Sequence, residues 1–582
     1  MSASATIARP TEATKALSTR WTSKQSYFLL AALTLLCLLP FSGRAFHVDD
    51  PLFVWTAQQI VKHPLDPYGF NVLWDNYSQP MSEVTKNPPL ACYYAAAIGS
   101  IAGWSERALH LGFLFPALAL ILGTYRLATR FTRFPLLAAA ATLLTPGVMV
   151  SATSVMCDTM MLAFWIWAVI FWIEGLDDDK HSYLAASGLL IAVAALTKYF
   201  GISLVPLLLA YSLLRRRRLG AWAFYLLIPV AALGTYQIWT AIHYGHGMFS
   251  QAVAFSHVEQ GVNGRVSLIA SAVVGASFLG GCALSVSFVS LFLWRWTRVV
   301  ACLFTGAFLT YAFVHAWVGL GHYAIVVQET FREGWTSPAA QMTLAVAAGV
   351  AILALGISEL RNWRDCNSLF LTLWILGTFA FAAFLNWSVN ARSIMPLLPS
   401  AAILAARRLE RFELESNSQL QRRLALALVF SGIVSFWITK ADSDAANSAR
   451  QAAEIIHQQS QGENGAIWFE GHWGFQYYMQ LWGAKPLDFL NSETKAGDVV
   501  VIPNINALPF PMPSPQFVAS SALLDLKLQQ PVFTMRWRKG AGFYSSFYGF
   551  LPFAFAAPNG EQYFILTLAM PWKTHITRTA EK

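Results

Sequence analysis

The sequence predicts an α-helical polytopic membrane protein carrying a small α/β domain at its C-terminal end. Three observations lead there. Of the 582 residues 56% are hydrophobic and only 12% charged, where a soluble domain would hold roughly a quarter charged residues. Apolar runs near the length needed to cross a bilayer recur through the first three-quarters of the chain, separated by short basic loops. From about residue 441 the composition turns to that of an ordinary globular domain.

The formal charge of +9 is scattered in short basic clusters between apolar runs. That is the pattern of the positive-inside rule, not of a phosphate-binding face, and it excludes nucleic acid as a partner. The 22 Trp suit two interfacial belts at the membrane surfaces. The six cysteines (Cys37, Cys92, Cys157, Cys282, Cys302, Cys366) have no metal-ligand spacing, and none follows residue 366.

Residues 1–26 form a polar, basic tail on the cytoplasmic side, and the apolar run Tyr27 to Gly43 reads as a signal anchor. Residues 44–107 form the first outer loop. Within it, Pro51 to His63 has apolar residues at helical spacing and is expected to lie on the membrane surface. Leu90 to Gly103 is too short to cross comfortably and is expected to be a juxtamembrane helix. Further spans are placed near 108–128, 134–151, 158–175, 182–200, 201–214, 221–243, 267–293, 299–319, 338–358, 367–386, 393–406 and 424–440, about thirteen with the first. The clusters Arg126 to Arg133, Arg215 to Arg218, Arg295 with Arg298, Arg361 with Arg364, and Arg407-Arg408 through Arg422-Arg423 then fall on the inner side. This count leaves 441–582 outside as a separate domain beyond a transmembrane domain of residues 27–440. Its predicted elements are a helix over Ala445 to Gln459 and strands at Ala466 to Phe469, Val499 to Ile502 and Gln562 to Ala569.

Five sets of residues on the outer side could carry chemistry. His47-Val48-Asp49-Asp50 places two carboxylates at the water–lipid boundary, suited to a base acting on a lipid-borne substrate. Asp before Pro51 equally suits a helix cap, and one carboxylate could cap while its neighbour does chemistry. Glu83 to Leu90 presents Lys86 on a turn stiffened by Pro88-Pro89, where it could hold a phosphate or simply decorate the turn. Asp158 opens an otherwise apolar helix as an acid or a cap. Lys198 is a lone cation at the outer end of a span, either snorkelling or awaiting an anion. Arg392 enters a helix ahead of Pro396 and Pro399, as ligand or interfacial anchor. Together they suit a base that activates a hydroxyl or amine while cations stabilise a phosphate leaving group.

The order of these motifs resembles a known family. The acidic pair, the basic-x-Pro-Pro-Leu-x-x-Tyr element from Lys86 to Tyr93, Ser105 to Leu109, the Asp158-opened helix, Leu196-Thr197-Lys198-Tyr199 and Arg392…Pro396…Pro399 are similar to those of the GT-C superfamily of integral-membrane glycosyltransferases. Within it they most resemble the branch of the protein O-mannosyltransferases and the aminoarabinose transferase of lipid A. The resemblance covers roughly residues 25–440 and is strongest from 45 to 200. It implies a GT-C fold and transfer of a sugar from a polyprenyl-phosphate carrier to a protein, lipid or glycan acceptor outside the inner membrane. It further implies Asp49 or Asp50 as base, Asp158 as second acid, and Lys86, Lys198 and Arg392 as contacts to the donor phosphate. Asn87 separates Lys86 from the proline pair, a departure from the family pattern. Some relatives hold a divalent metal near the site; Glu83, His243, His246, His257 and His322 offer ligands but no compact spacing. A transporter of lipid-linked sugars is the rival reading, and it would place its charges mid-membrane in two similar halves. In the tail, Glu470 to Tyr478 offers aromatic rings that could stack on a sugar or pack a core.

Overall fold

Thr22 begins the first membrane helix, Ser23–Leu38, with a capping box in which its hydroxyl and the Gln25 side chain satisfy each other's backbone N–H. The computed structural model describes residues 22–262, 266–332, 336–410, 418–460, 465–505 and 512–573, so most of the basic N-terminal tail lies outside the described residues. All thirteen predicted segments are helical. Among the described residues, eight helices are long and apolar enough to cross a membrane, or nine if a bent pair counts as one. The predicted spans 182–200, 201–214, 134–151 and 393–406 appear instead as short or broken helices.

The breaks have local causes. The segment 134–151 divides into Pro135–Leu143 and Pro146–Ser151 because Pro146 cannot continue a helix and Thr145 caps the new one, accepting from Val148 N–H at 3.3 Å. The Leu144 carbonyl left over at the break accepts from the hydroxyls of Ser431 and Ser435 at 2.7 and 3.0 Å. The predicted span 267–293 bends by 90° between Leu268–Cys282 and Leu284–Leu293. There Gly280 lies against the backbone of Ala345, too close for a Cβ, and Gly281 takes Pro552 of the C-terminal region. Ser287 donates to the freed Gly280 carbonyl at 3.2 Å.

Residues 44–107, predicted to form the first outer loop, are more structured than expected. Asp50–Lys62 does not lie open on a bilayer surface. Its apolar face (Phe53, Val54, Ala57 and Ile60) is buried, and it packs on Leu90–Ala102 and on the C-terminal helix Trp473–Leu481. A hairpin, Asn71–Trp74 with Tyr77–Pro80, turns through Asp75 and Asn76, both at positive φ. Asp and Asn accept that left-handed geometry more readily than other non-glycine residues.

The last membrane helix does not stop at 440 but runs unbroken as Ser418–Gln459, 42 residues long. Beyond it, a five-stranded sheet in the order Lys485–Pro486, Ile467–Phe469, Val499–Pro503, Glu561–Leu568, Val518–Leu526 mixes parallel and antiparallel pairs. With Trp473–Leu481 it forms the α/β region expected at this end.

One buried ionic node ties these parts together. Arg44, just past the first helix, lies 2.8 Å from Asp442 of the long helix, both side chains fully buried. Arg44 also donates to Thr153 at 2.7 Å and to the Tyr544 hydroxyl at 3.2 Å. Asp442 accepts from Tyr544 at 2.8 Å and from Thr534. Removing one member strands a buried charge, so Arg44→Met is expected to cost about 3–5 kcal/mol. It should lower the unfolding temperature of the detergent-solubilised protein sharply, while Lys573→Ala, at the exposed pair with Glu493, leaves it unchanged.

Candidate active site

The acidic corner is held in a costly conformation. Val48 has φ +48°, an outlier for a β-branched residue that persists only where the surroundings impose it. They do so from several sides. The Phe46 N–H donates to the Tyr478 hydroxyl at 2.9 Å, and Gly474 sits against the Phe46 carbonyl, where a Cβ would stand 2.0 Å from the oxygen. Asp50 accepts from His47 N–H at 2.9 Å and from Val155 N–H at 2.8 Å, one bond to each carboxylate oxygen. The corner thereby turns the two neighbouring acids to different surroundings. Asp50 is fully buried, and burial pushes its carboxyl up to about 7 against the pull of Arg44 and the two N–H donors. Asp49 keeps its side chain 30% exposed. It occupies the N-cap position of Asp50–Lys62 yet makes no capping hydrogen bond.

From Asp49 a chain of alternating charges runs inward. The Arg392 Nη1 donates to Asp49 at 3.1 Å and lies 3.9 Å from Asp158 Oδ2, while the other Asp158 oxygen pairs with Lys198. Asp158 is buried in the first turn of Cys157–Asp177, whose N-cap position belongs to Met156, so it does not cap. Lys198 ends His181–Thr197 in extended backbone and points its ammonium at Asp158 rather than snorkelling to an interface. Arg392 is presented by the short helix Ala391–Ile394, capped by the Asn390 side chain accepting from Ser393 N–H at 2.8 Å. Two cations and two carboxylates balance, and the pairs hold both cationic heads oriented beside the half-open Asp49.

Four of the six predicted residues, Asp49, Asp158, Lys198 and Arg392, thus meet in one array, and Asp50 supports it from below. Lys86 is held elsewhere: its Nζ donates to the Glu83 carbonyl and lies 4.9 Å from the centroid of Phe255. The candidate metal ligands do not assemble. His243 pairs with Asp66 at 3.3 Å and His322 packs between Tyr323 and Phe547. Among the described residues no three His, Cys, Asp or Glu side chains form a group that could hold a metal ion.

Sequence reasoning missed Arg44, Asp442 and Tyr544. Arg392 lies over the Tyr544 ring, 5.5 Å from its centroid, so the structural node and the array share one wall. Arg44 did leave a signal, as a lone cation directly after the first apolar run. Burial holds His47 down to about 4, and it is neutral beside Asp442.

The raised Asp50 carboxyl has a consequence for stability. The folded protein holds a proton there that the unfolded chain releases from about pH 4, so this contribution falls as pH rises from about 4 to about 7. Unfolding measured across that window is expected to show the loss in the wild type, with a shallower slope in Asp50→Asn.

Residues 86–239, a quarter of the chain, match the model of the family described as dolichyl-phosphate-mannose-protein mannosyltransferase. No curated protein matches. Three solved structures are similar at low identity. ArnT from Cupriavidus metallidurans bound to undecaprenyl phosphate is 13% identical, with 83% of this chain and 94% of that chain covered and a TM-score of 0.41. The Archaeoglobus fulgidus oligosaccharyltransferase is 12% identical, with 79% and 63% covered and a TM-score of 0.44. Arabinosyltransferase EmbB from Mycobacterium smegmatis is 13% identical, with 89% and 48% covered and a TM-score of 0.33. Across the segment that carries Lys86, Asp158 and Lys198, the chain is similar to the dolichyl-phosphate-mannose-protein mannosyltransferases, in keeping with the GT-C resemblance of its motifs.

Proposed function

We propose that the protein is an inverting glycosyltransferase of the inner membrane that moves a sugar from a polyprenyl-phosphate carrier to an acceptor on the outer side. The observation that carries this reading is the array Lys198–Asp158–Arg392–Asp49, cationic within and ending in a half-open carboxylate. The family match adds a lipid-phosphate-linked sugar as the class of donor. Residues 27–440 form the catalytic transmembrane domain and 441–582 an extracytoplasmic domain, an orientation supported by the basic loops on the opposite side.

Asp49 is the base. It takes the proton from an acceptor hydroxyl or amine as that atom attacks the anomeric carbon. The bond from that carbon to the phosphate oxygen breaks, and the polyprenyl phosphate leaves with the electron pair. One in-line displacement inverts the configuration. Arg392 and Lys198 meet the charge growing on the phosphate, and Asp158 keeps both cations in place until it arrives. Lys86, held by the Glu83 carbonyl and the Phe255 ring, stands outside this array. Asp50 is a positioning residue, since both its oxygens are engaged by backbone N–H groups.

Purified protein incubated with a panel of polyprenyl-phosphate sugars and scored for loss of the lipid-linked sugar tests the proposal. Asp49→Asn is expected to lower turnover by about 10²- to 10⁴-fold while the protein stays folded and inserted. Arg392→Met is expected to raise the donor KM more than Lys86→Met does. Full activity in Asp49→Asn removes this carboxylate from the chemistry. Movement of intact lipid-linked sugar across vesicles, without its consumption, supports a transporter instead.

A further inference from the structure

The C-terminal domain reaches the acidic corner through a turn that the proposed chemistry leaves unused. Gly471-His472-Trp473-Gly474 packs on the corner at Gly474, and Trp473 has φ +62°, a left-handed backbone that a large aromatic side chain seldom adopts. Helix packing alone gives no reason to keep it there, because the conformation costs on the order of 1–3 kcal/mol. It turns the indole toward Tyr548, with ring centroids 5.4 Å apart, and both side chains remain half-buried rather than sealed in the core. The contact of Gly474 with Phe46 and His47 sets this turn against the acidic corner, and the Tyr548 phenol is raised by burial first and then by the charges of Asp49 and Asp75. The hairpin of the first loop closes the other side. Gln476 donates to the Leu73 carbonyl at 2.8 Å, and Trp74 lies 5.4 Å from the His472 ring. His472 Nδ1 is buried with no hydrogen-bond partner among the described residues, a polar atom that a ligand hydroxyl could satisfy.

We propose that Trp473 and Tyr548 form the acceptor wall of the site, and that the acceptor carries a pyranose ring whose C–H face stacks on Trp473 beside Asp49. Flat aromatic faces suit the apolar faces of sugars, and hydroxyls around the rim find His472, Asp75 and the phenol. A serine or threonine side chain or a bare phospholipid offers no rigid C–H face to fill this wall. The inference rests on the glycosyltransferase reading, from which it takes the acceptor's presence at Asp49.

Saturation-transfer NMR on the full-length, detergent-solubilised protein tests it without relying on turnover. The probe is methyl β-D-glucopyranoside, compared with an N-acetyl-serine amide. The expected result is transfer to the pyranose C–H protons in the wild type and in Asp49→Asn, binding about tenfold weaker in Trp473→Ala, and recovery in Trp473→Phe. Undiminished pyranose contact in Trp473→Ala, no contact in the wild type, or a stronger response from the serine amide would overturn it. Thermal unfolding of Trp473→Ala and Trp473→Phe separates lost stacking from lost fold, since both keep a Cβ at the same left-handed turn but only the second keeps a ring. Asp49→Asn in the lipid-linked-sugar assay reports separately on the chemistry. A dead Asp49→Asn beside unchanged Trp473→Ala binding refutes the wall alone, and a fully active Asp49→Asn refutes the function.

Discussion

Arg44 and Asp442 face each other with no exposed side-chain surface on either. Such a pair is weak evidence for stability in general, because desolvation offsets much of the attraction. Its value here is geometric. It joins the exit of the first membrane helix to the C-terminal half of the last one, and Tyr544 of the C-terminal domain closes the group. Thr153 adds the turn that leads into the helix of Asp158. Four distant parts of the chain therefore have one mutual arrangement in which every strong charge is answered. The acidic corner hangs from that arrangement, only a few residues past Arg44.

Adjacent carboxylates could not be told apart by position, and the corner separates them by environment. At Val48 the chain accepts a strained dihedral, which sends Asp50 down toward two backbone donors and Asp49 out toward Arg392. Asp50 is fully buried with a backbone N–H on each oxygen and out of reach of a substrate, whereas Asp49 is half-open beside a guanidinium and accessible. The strain is a property of the backbone, so no substitution at Asp49 itself reproduces or relieves it.

Much of this was legible in the chain. Helices lie at each of the thirteen segments that apolar runs and basic loops predicted, though only eight or nine among the described residues are long and apolar enough to cross a membrane. The order of the short motifs pointed to Asp158, Lys198 and Arg392. What could not be read was partnership over distance: Asp49 and Arg392 are 343 positions apart. Helix breaks divided by cause. Pro146 and Thr145 announce theirs locally, but continuous hydrophobicity hid it. The 90° bend after Gly280 depends on the backbone of Ala345 and on Pro552, and no local pattern carries that. The capping alternatives for Asp49 and Asp158 were reasonable from residue type alone and fail only because the bonds are not made.

The unbroken helix Ser418–Gln459 spans about 63 Å at 1.5 Å per residue. Within it, Asp442 faces Arg44, Ser448 donates to Glu561 of the sheet at 2.7 Å, and Arg450 pairs with Glu106 at 3.0 Å. These contacts are angular settings on one shaft. Adding or removing a single residue between Asp442 and Ser448 would rotate one set against the other by about 100°. No loop lies between them to absorb the turn. The length of this stretch is thus constrained more tightly than its composition, and the C-terminal domain is timed to the membrane domain as a cam is keyed to its axle.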